Sequence, residues 1–273
     1  MPELPEVETI RRTLSLHVLK LKIEKVILLW SGAVVGYEGH GFEEIVRGLS
    51  LQSIERRGKY LLITLEGGWS IIAHMRMTGR LNYFPHSQEP EKHTHVVLKL
   101  SKGEIHFTDT RKFGRLQLVR SDDRLNQPSL KRLGPEPLEE EFTPEELGRR
   151  LAPRKMPLKN ALLDQTIVAG IGNIYADESL FRAGLSPERV ANTLSEKELA
   201  RLHTSIRKVL QEGVDANGTS FRDYQDANGE KGAFQRALKV YGRGGEACML
   251  CGRPLAKKRM GGRTTVFCPD CQF

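Results

Sequence analysis

The hydrophobic pattern of the chain changes its period twice, and this restricts the fold more than any other feature. Apolar residues recur in steps of three and four over residues 4–18, which predicts one helix. Its apolar positions are Leu4, Val7, Ile10, Leu14 and Val18. From about residue 22 to residue 120, short β-rich runs alternate with Gly-containing turns. These runs are Lys22–Leu29, Tyr60–Leu65, Trp69–Ala73, Val96–Leu100, Glu104–Phe107 and Leu116–Val119. Many short strands at this spacing predict an antiparallel sandwich or barrel.

The pattern becomes helical after a Pro-rich, polar stretch. The predicted helices are Glu145–Leu151, Leu158–Leu163, Ile174–Ala183 and Ser195–Ala216. Ser195 with Glu198 three residues later is typical of a capping-box start. We therefore predict a β-rich domain over 1–125, a linker over 126–143, a helical domain over 144–237 that includes a Gly-rich loop, and a terminal module over 238–273.

The charge balance points to a polyanionic partner. The 273 residues carry a formal net charge of +8, and the sequence pI is about 9.3. Such a surplus of cations suggests nucleic acid first and an acidic membrane surface second. No apolar run approaches membrane-spanning length, and the polar N-terminus is unlike a signal peptide. A cytoplasmic protein is expected.

The four cysteines form two pairs near the C-terminus. Cys248 and Cys251 are followed, after sixteen residues, by Cys268 and Cys271. This spacing matches four-Cys structural zinc, in which thiolates fill a tetrahedral coordination sphere. We predict one structural zinc ion per chain. Two redox-active pairs are the alternative, but no thioredoxin-like βαβ pattern surrounds them.

Two glycines lie between two predicted helices in the run Gly170-Ile171-Gly172-Asn173. They permit a tight turn, Asn173 is suited to cap the next helix, and a helix N-terminus binds phosphate well. The third Gly and the preceding strand of the dinucleotide fingerprint are missing. Taken alone, the turn is consistent with a simple helix hairpin or with a DNA contact.

The N-terminus offers a potential nucleophile. A small residue after Met1 usually permits removal of the initiator, which leaves Pro2 as a secondary amine beside Glu3. An N-terminal amine ordinarily has a pKa of about 7.7–8.0 against about 10.4 for Lys, so it is partly neutral near pH 7. Pro also fits the first turn of a helix, and the segment by itself leaves both interpretations open.

Together these features resemble the formamidopyrimidine-DNA glycosylase family, the bacterial base-excision enzymes for oxidised purines. The segments that carry the resemblance are Pro2–Thr9, Arg56–Leu61, Leu163–Ala183 and the four-Cys module. The related endonuclease VIII branch usually has Gly at the position of Leu4, so Leu4 favours the oxidised-purine branch. The implied fold is α+β and multidomain, with an N-terminal helix on an eight-stranded antiparallel β-sandwich, a helix–two-turn–helix domain and a zinc finger. The implied DNA lies in a cleft between domains.

The resemblance implies a bifunctional DNA glycosylase/AP lyase that excises 8-oxoguanine and formamidopyrimidines from duplex DNA after base flipping. Pro2 matches the family nucleophile, which forms a Schiff base with the sugar, and Glu3 matches the general acid/base. Lys59 matches the cation assigned to β-elimination. Arg263 matches the residue assigned to δ-elimination and to a phosphate.

Further DNA contacts are implied residue by residue. The phosphate contacts are His74, His93, Lys155, Asn173, Tyr241 and Lys257. Met77, Arg111 and Phe113 match the side chains that fill the hole left by the flipped base, although core packing on strands is the other interpretation of Met77 and Phe113. Position 78 is Thr where several relatives carry Glu.

Residues 218–234 are predicted to form a mobile base-recognition lid with few apolar anchors. The residues expected to read the extruded base are Thr219, Ser220, Phe221 and Arg222. A tolerated surface insertion is the other interpretation of this segment.

Two other functions fit part of the pattern. An endonuclease VIII-like glycosylase for oxidised pyrimidines would share most of the motifs. A non-catalytic zinc-finger DNA-binding protein would explain the charge and the cysteines but not Pro2 beside Glu3. The expected partner is double-stranded DNA with an oxidised purine or an abasic site, bound by a monomer of the bacterial nucleoid that requires neither a membrane nor a protein partner.

Overall fold

The computed structural model describes residues 1–37, 41–221 and 224–273, which divide into two compact units. The first unit comprises residues 1–131 and 216–233, and the second comprises 132–215 and 234–273. The predicted helical domain and the Cys-containing module thus form one unit. No helix among the described residues is long and apolar enough to cross a membrane.

The first unit is one helix with two β-sheets. Its elements are α1 (Leu4–Val18), β1 (Ile23–Leu28), β2 (Val34–Val35), α2 (Phe42–Val46), β3 (Leu51–Arg57), β4 (Tyr60–Leu65), β5 (Trp69–His74), β6 (Arg80–Phe84), β7 (Thr94–Leu100), β8 (Glu104–Thr108), β9 (Arg115–Arg120) and α3 (Pro128–Lys131). One sheet has the order β1-β7-β8-β6 and the other β2-β9-β5-β4-β3. All neighbouring strands are antiparallel except β2, which pairs with β9 in parallel. The predicted antiparallel sandwich is confirmed, with the two-residue strand β2 added to the eight.

Both sheets and α1 contribute to one hydrophobic core. Alternate residues such as Leu98 and Ile105 from one sheet and Ile63 and Ile71 from the other are buried together. The predicted apolar face of α1 also lies in this core, and the helix packs on β3 and β4. Because alternate strand residues face opposite sides of a sheet, the sandwich fixes which loop residues project beyond the strand ends.

The longer strands of the first unit that the sequence-based prediction did not name are β3 and β6. In β3, a bulge between Leu51 and Ser53 breaks the two-residue alternation, so buried Leu51 and Ile54 are spaced like helical residues. A bulge inserts an unpaired residue that disrupts the ladder locally. Strand β6 is only five residues long, and its buried residues Leu81 and Tyr83 are separated by the polar Asn82.

Residues 126–143 are not an extended linker. Helix α3 lies within this range, and Leu130 and Phe142 are buried. Arg207 donates hydrogen bonds to the carbonyl oxygens of residues 137, 138 and 139 at 3.2, 3.1 and 2.6 Å. Pro135 and Pro137 lie outside helix and strand, and the segment packs through side chains that a composition-based prediction does not take into account.

The second unit holds four longer helices and a β-hairpin. Its elements are α4 (Pro144–Leu151), α5 (Leu158–Leu163), α6 (Asn173–Ala183), α7 (Glu196–Asp215), β10 (Ala256–Met260) and β11 (Arg263–Phe267). The carboxylate of Glu198 accepts a 2.8 Å hydrogen bond from the backbone N–H of Ser195, as expected for the start of α7. Helix α6 ends at Gly184, whose φ of 64° is the left-handed conformation favoured at helix ends.

Candidate active site and nucleic-acid interface

Acidic side chains organise the N-terminus of α1. Glu3 is the residue that precedes the first helical turn, and its backbone N–H donates to Glu6 Oε2 at 2.8 Å. The other oxygen of Glu6 accepts from the backbone N–H of Thr219 at 2.7 Å. Pro2, Glu3 and Glu6 are all buried. Carboxylates favour a helix N-terminus because backbone N–H groups there lack intrahelical partners.

Lys59 lies in the two-residue turn of the β3–β4 hairpin. The turn begins at Gly58, which has a φ of 57°, and Arg57 pairs with Tyr60 across it. The neighbouring Arg56 extends from β3 to Glu8 of α1, with Nε 3.3 Å from the carboxylate. Lys59 is only 6% exposed. The hairpin that carries Lys59 is therefore fixed to the helix that follows Pro2 and Glu3.

His74, at the end of β5, is a neutral imidazole. Its burial, followed by the positive charges of Arg76 and Lys59, lowers the His74 pKa from 6.5 to about 3. Nδ1 accepts a hydrogen bond from the backbone N–H of Arg76 at 2.9 Å, which leaves the proton on Nε2. His74 can therefore donate one hydrogen bond to an anion without carrying charge.

Met77, Arg111 and Phe113 meet at the tips of two loops. The β5–β6 loop carries Met77 and the β8–β9 loop carries the other two. Nη1 of Arg111 lies 3.1 Å from the sulfur of Met77, and its guanidinium carbon lies 5.0 Å from the centre of the Phe113 ring. Met77 is 43% and Phe113 50% exposed. Core packing is therefore the wrong interpretation of these two side chains.

The Asp109 carboxylate accepts hydrogen bonds from both of these loops. Its buried carboxylate accepts hydrogen bonds from the backbone N–H groups of Arg111, Phe113 and Gly114 at 3.1, 2.8 and 2.7 Å. The hydroxyl of Thr78, beside Met77, donates to the same carboxylate. Burial by itself would raise the pKa of Asp109, but these four hydrogen bonds together lower it below its usual value. Thr78 thus links the two loops.

We predict that Asp109→Asn lowers the free energy of unfolding of the first unit by about 2–3 kcal/mol. Both carboxylate oxygens accept from backbone N–H groups, so an amide must turn its own N–H groups toward at least one backbone donor and leave that donor unsatisfied. Urea unfolding followed by tryptophan fluorescence is the measurement, because Trp30 and Trp69, the two tryptophans, both lie in this unit. Thr78→Val, which removes a single donor, should have a smaller effect. Equal effects of the two substitutions would contradict this role for Asp109.

The base-recognition segment is anchored much more firmly than predicted. Tyr224 and Ala227 are buried in the core of the first unit, so the expected lack of apolar anchors was wrong. The carbonyl oxygen of Ala227 accepts from the N–H of Tyr83 at 2.8 Å. Residues 216–233 consequently belong to the β-rich unit, whereas the sequence-based prediction assigned the loop to the helical domain.

Residues 219–221 of this segment differ from one another in exposure and in hydrogen bonding. The Ser220 hydroxyl donates to the Tyr224 carbonyl at 2.9 Å and accepts from the N–H of Gly232 at 3.0 Å, so it stabilises the loop itself. Thr219 is buried, whereas Phe221 is 52% exposed. Arg222 lies outside the described residues.

The Gly-containing turn before α6 is held by one side chain. Gln165 accepts from the N–H of Gly170 at 3.0 Å and donates to the carbonyl of Ile171 at 2.8 Å. Gly172, not Asn173, is the residue that caps α6. The Asn173 side chain instead donates to the carbonyl of Thr264 in β11 at 2.9 Å.

The remaining predicted DNA contacts lie at or near the surface of their units. Lys155, Lys257 and Arg263 are exposed, while His93 and Tyr241 are half-buried. Arg263 begins β11 directly after Gly261 and Gly262, whose φ values of 53° and 76° form a tight hairpin turn. The hairpin therefore presents Arg263 beside its tip.

The four cysteine sulfurs form a metal-binding cluster. They all lie within 4.8 Å of one another, with Cys248 and Cys271 at 3.9 Å and Cys251 and Cys268 at 3.5 Å. A tetrahedral zinc site with Zn–S distances of about 2.3 Å requires sulfurs about 3.8 Å apart. The N–H of Leu250 points to the Cys248 sulfur at 3.4 Å. Donor number, spacing and hydrogen bonding fit one four-coordinate structural metal.

Several organising residues were missed because their partners are distant in sequence. They are Glu6, Thr78, Asp109, Lys159, Asp177 and Glu178. Polar residues in otherwise apolar helical or strand patterns were the available signal, since buried charges are almost always paired.

Comparison with known proteins follows the same division of the chain. The formamidopyrimidine-DNA glycosylase N-terminal domain matches residues 1–116, the H2TH domain of the same enzymes matches 133–225, and the zinc finger found in FPG and IleRS matches 245–272. A formamidopyrimidine-DNA glycosylase of Desulfitobacterium hafniense is 71% identical, with 100% of both chains covered.

Solved structures are similar over nearly the full chain. The MutM (FPG) protein of Thermus thermophilus has a TM-score of 0.90 at 44% identity, covering 99% of this chain and 98% of that one. A Lactococcus lactis FPG variant in complex with Fapy-dG-containing DNA has a TM-score of 0.93 at 38% identity, with 99% of each chain covered. The L. lactis protein was also solved with abasic-site DNA and with oxidised-pyrimidine DNA. From sequence, fold and site together, this chain belongs to the formamidopyrimidine-DNA glycosylase family of enzymes.

Proposed function

We propose that this chain is a bifunctional glycosylase/AP lyase that removes oxidised purines from duplex DNA. The observation that carries the proposal is the contact among Met77, Arg111 and Phe113 at exposed loop tips. Apolar side chains held at a surface by a dedicated buried carboxylate are suited to enter a base stack. Wedges of this kind unstack and kink DNA, which a base-flipping enzyme requires.

The proposed nucleophile is the Pro2 amine after removal of Met1. It attacks the anomeric carbon of the damaged nucleotide, the bond to the base breaks, and an iminium forms between Pro2 and the opened sugar. Glu3, adjacent to the amine, is the proposed proton donor and acceptor for these steps. The iminium acidifies the neighbouring C–H, so loss of that proton expels the 3′ phosphate and a second elimination expels the 5′ phosphate.

The surrounding cations have proposed roles at the DNA backbone. Lys59 would assist β-elimination and Arg263 the second elimination. His74, neutral with its proton on Nε2, and the cations Lys155 and Lys257 would contact phosphates, as would Asn173, Tyr241 and His93. Zinc would be held by the four cysteines and would stabilise the finger, without taking part in the reaction.

The test is cleavage of a duplex that contains a single 8-oxoguanine. We expect free 8-oxoguanine and a strand break with phosphate at both new ends, and no cleavage of the undamaged duplex. Base release without a strand break would contradict the lyase assignment, and no release would contradict the glycosylase assignment.

Oxidised pyrimidines are a second candidate substrate class, because an L. lactis relative was solved with oxidised-pyrimidine DNA. The same assay with a duplex containing an oxidised pyrimidine decides between the two. We expect faster excision of 8-oxoguanine. The reverse order would favour an endonuclease VIII-like activity.

We further propose a monomer that acts at the nucleoid without a protein partner.

We predict that replacing residues 221–223 with Gly-Ser-Gly reduces 8-oxoguanine excision strongly but leaves cleavage at abasic sites largely intact. The change spares the buried anchors Tyr224 and Ala227, and an abasic site presents no base to be recognised. Parallel single-turnover rates on the two substrates are the measurement. Equal loss of both activities would indicate a structural role, and unchanged rates on both would leave these residues without a role in recognition.

A further inference from the structure

Two consecutive acidic residues of α6 are buried in the second unit. Their carboxylates accept hydrogen bonds from backbone N–H groups that lie outside α6. Glu178 accepts from the N–H groups of Lys239, Val240 and Tyr241 at 2.9, 2.9 and 2.8 Å. Asp177 accepts from the N–H of Val266 in β11 at 3.2 Å. Both carboxylates are at least 95% buried. Helix α6 therefore fixes the segment before the finger and the hairpin within it.

Asp177 also forms an ion pair with Lys159 of α5, and both side chains are almost completely buried. Lys159 Nζ donates in addition to the carbonyl oxygen of Asn173 at 3.0 Å. The Asn173 side chain in turn bonds Thr264. One buried pair thus connects the turn before α6 with the strand that begins at Arg263.

Other contacts also hold the hairpin: Val266 of β11 lies in a buried cluster with Phe181 of α6, and Lys258 of β10 forms an ion pair with Glu188. Strands β10 and β11 pair only with each other among the described residues. A buried ion pair is weak evidence for stability, since well-packed apolar residues of similar volume are often as stable or more so. Its hydrogen bonds are directional, however, and a small displacement of a reacting group lowers rates steeply. The pair is better explained by positioning than by stability.

We propose that Lys159 and Asp177 are positioning residues that hold the β10–β11 hairpin so that Arg263 serves the second elimination. This inference rests on the proposed function. It predicts a defect in one chemical step, because the proposed nucleophile and Lys59 belong to the other unit.

The test is the ratio of β-elimination to δ-elimination product on abasic-site DNA in Lys159→Met/Asp177→Leu. This ratio is internal to each reaction, so it does not depend on the fraction of folded enzyme. We expect it to rise about tenfold or more, within the about 10²-fold that a 1 Å misplacement causes, while zinc content remains near that of the wild type. Arg263→Ala should shift the ratio in the same direction.

The matched control is Arg182→Met/Glu212→Leu. It removes a partly exposed ion pair between Arg182 of α6 and Glu212 of α7, whose two contacts measure 2.6 and 2.7 Å. Its product ratio should equal that of the wild type. If the double variant fails to fold, Lys159→Met/Asp177→Asn, which keeps an oxygen acceptor for Val266 and leaves no buried unpaired charge, should shift the ratio in the same direction. An unchanged ratio in a folded variant would overturn the inference. Wild-type protein that leaves abasic DNA uncut would instead refute the proposed function.

Discussion

A chain that carries one additional residue ahead of Pro2 should lose borohydride-trappable complex with abasic-site DNA by about 10³-fold or more, the scale on which loss of an enzyme nucleophile acts. The reason is chemical. A free proline amine has a lone pair available for attack, whereas an amide nitrogen is neither basic nor nucleophilic. Binding to a non-reactive abasic analogue should change far less, because the cations proposed to contact phosphates are elsewhere in the chain.

A removable extension gives the sharpest form of this experiment. A protease site that leaves Pro2 as the first residue after cleavage allows the same preparation to be measured before and after processing. Trapping should be near background before cleavage and should rise to the wild-type level afterwards. Full trapping by the extended chain would place the nucleophile on another residue.

Removal of the metal should abolish specific DNA binding while the first unit stays folded. Apparent free energies of about 10–16 kcal/mol are typical for structural zinc in small fingers, so the module that presents Lys257 and Arg263 should lose its structure. Two charge-assisted phosphate contacts at about 1.5 kcal/mol each already correspond to about 10²-fold in affinity. Cys268→Ser should reproduce the effect of chelation.

Tryptophan fluorescence provides the control for that result, since both tryptophans lie in the first unit. Their unfolding transition should be the same with and without metal. Leu250→Ser, at an exposed position between the ligands Cys248 and Cys251, should retain both zinc and DNA binding. Wild-type affinity after complete removal of zinc would show that the finger does not contribute to DNA binding.

The elements that the sequence predicts well are those with regular periods. Helix α1, strand β4 and helix α5 have the predicted bounds, and none of them contains a Gly or Pro beyond its second residue. The sequence-based prediction missed strand β3 because a bulge interrupts its alternation. It missed helix α3 because that helix lies in a Pro-rich stretch. The segment around Tyr224 was misjudged because its anchors bury only against residues of α1 and β6, far away in sequence.

The candidate site divides in the same way. The four cysteines converge as their spacing predicts. The resemblance assigned Met77, Arg111 and Phe113 to one role, and Arg111 contacts the other two side chains in the structure, although no local pattern links positions 77 and 111. Asp109, Thr78 and the Lys159–Asp177 pair remained unrecognised, because the contacts of Thr78 with Asp109 and of Lys159 with Asp177 join residues that are distant in sequence. Sequence thus indicates the chemical groups, and tertiary structure shows which residues hold them.

The most direct test of the proposed reaction is to identify the residue that becomes covalently attached to DNA. The chain is incubated with a duplex containing 8-oxoguanine, the imine is reduced with borohydride, and the digested complex is mapped by mass spectrometry. We predict a single adduct at the nitrogen of Pro2, in a chain that lacks Met1. An adduct at Lys59 or another lysine, or retention of Met1 in the trapped protein, would contradict the proposed mechanism.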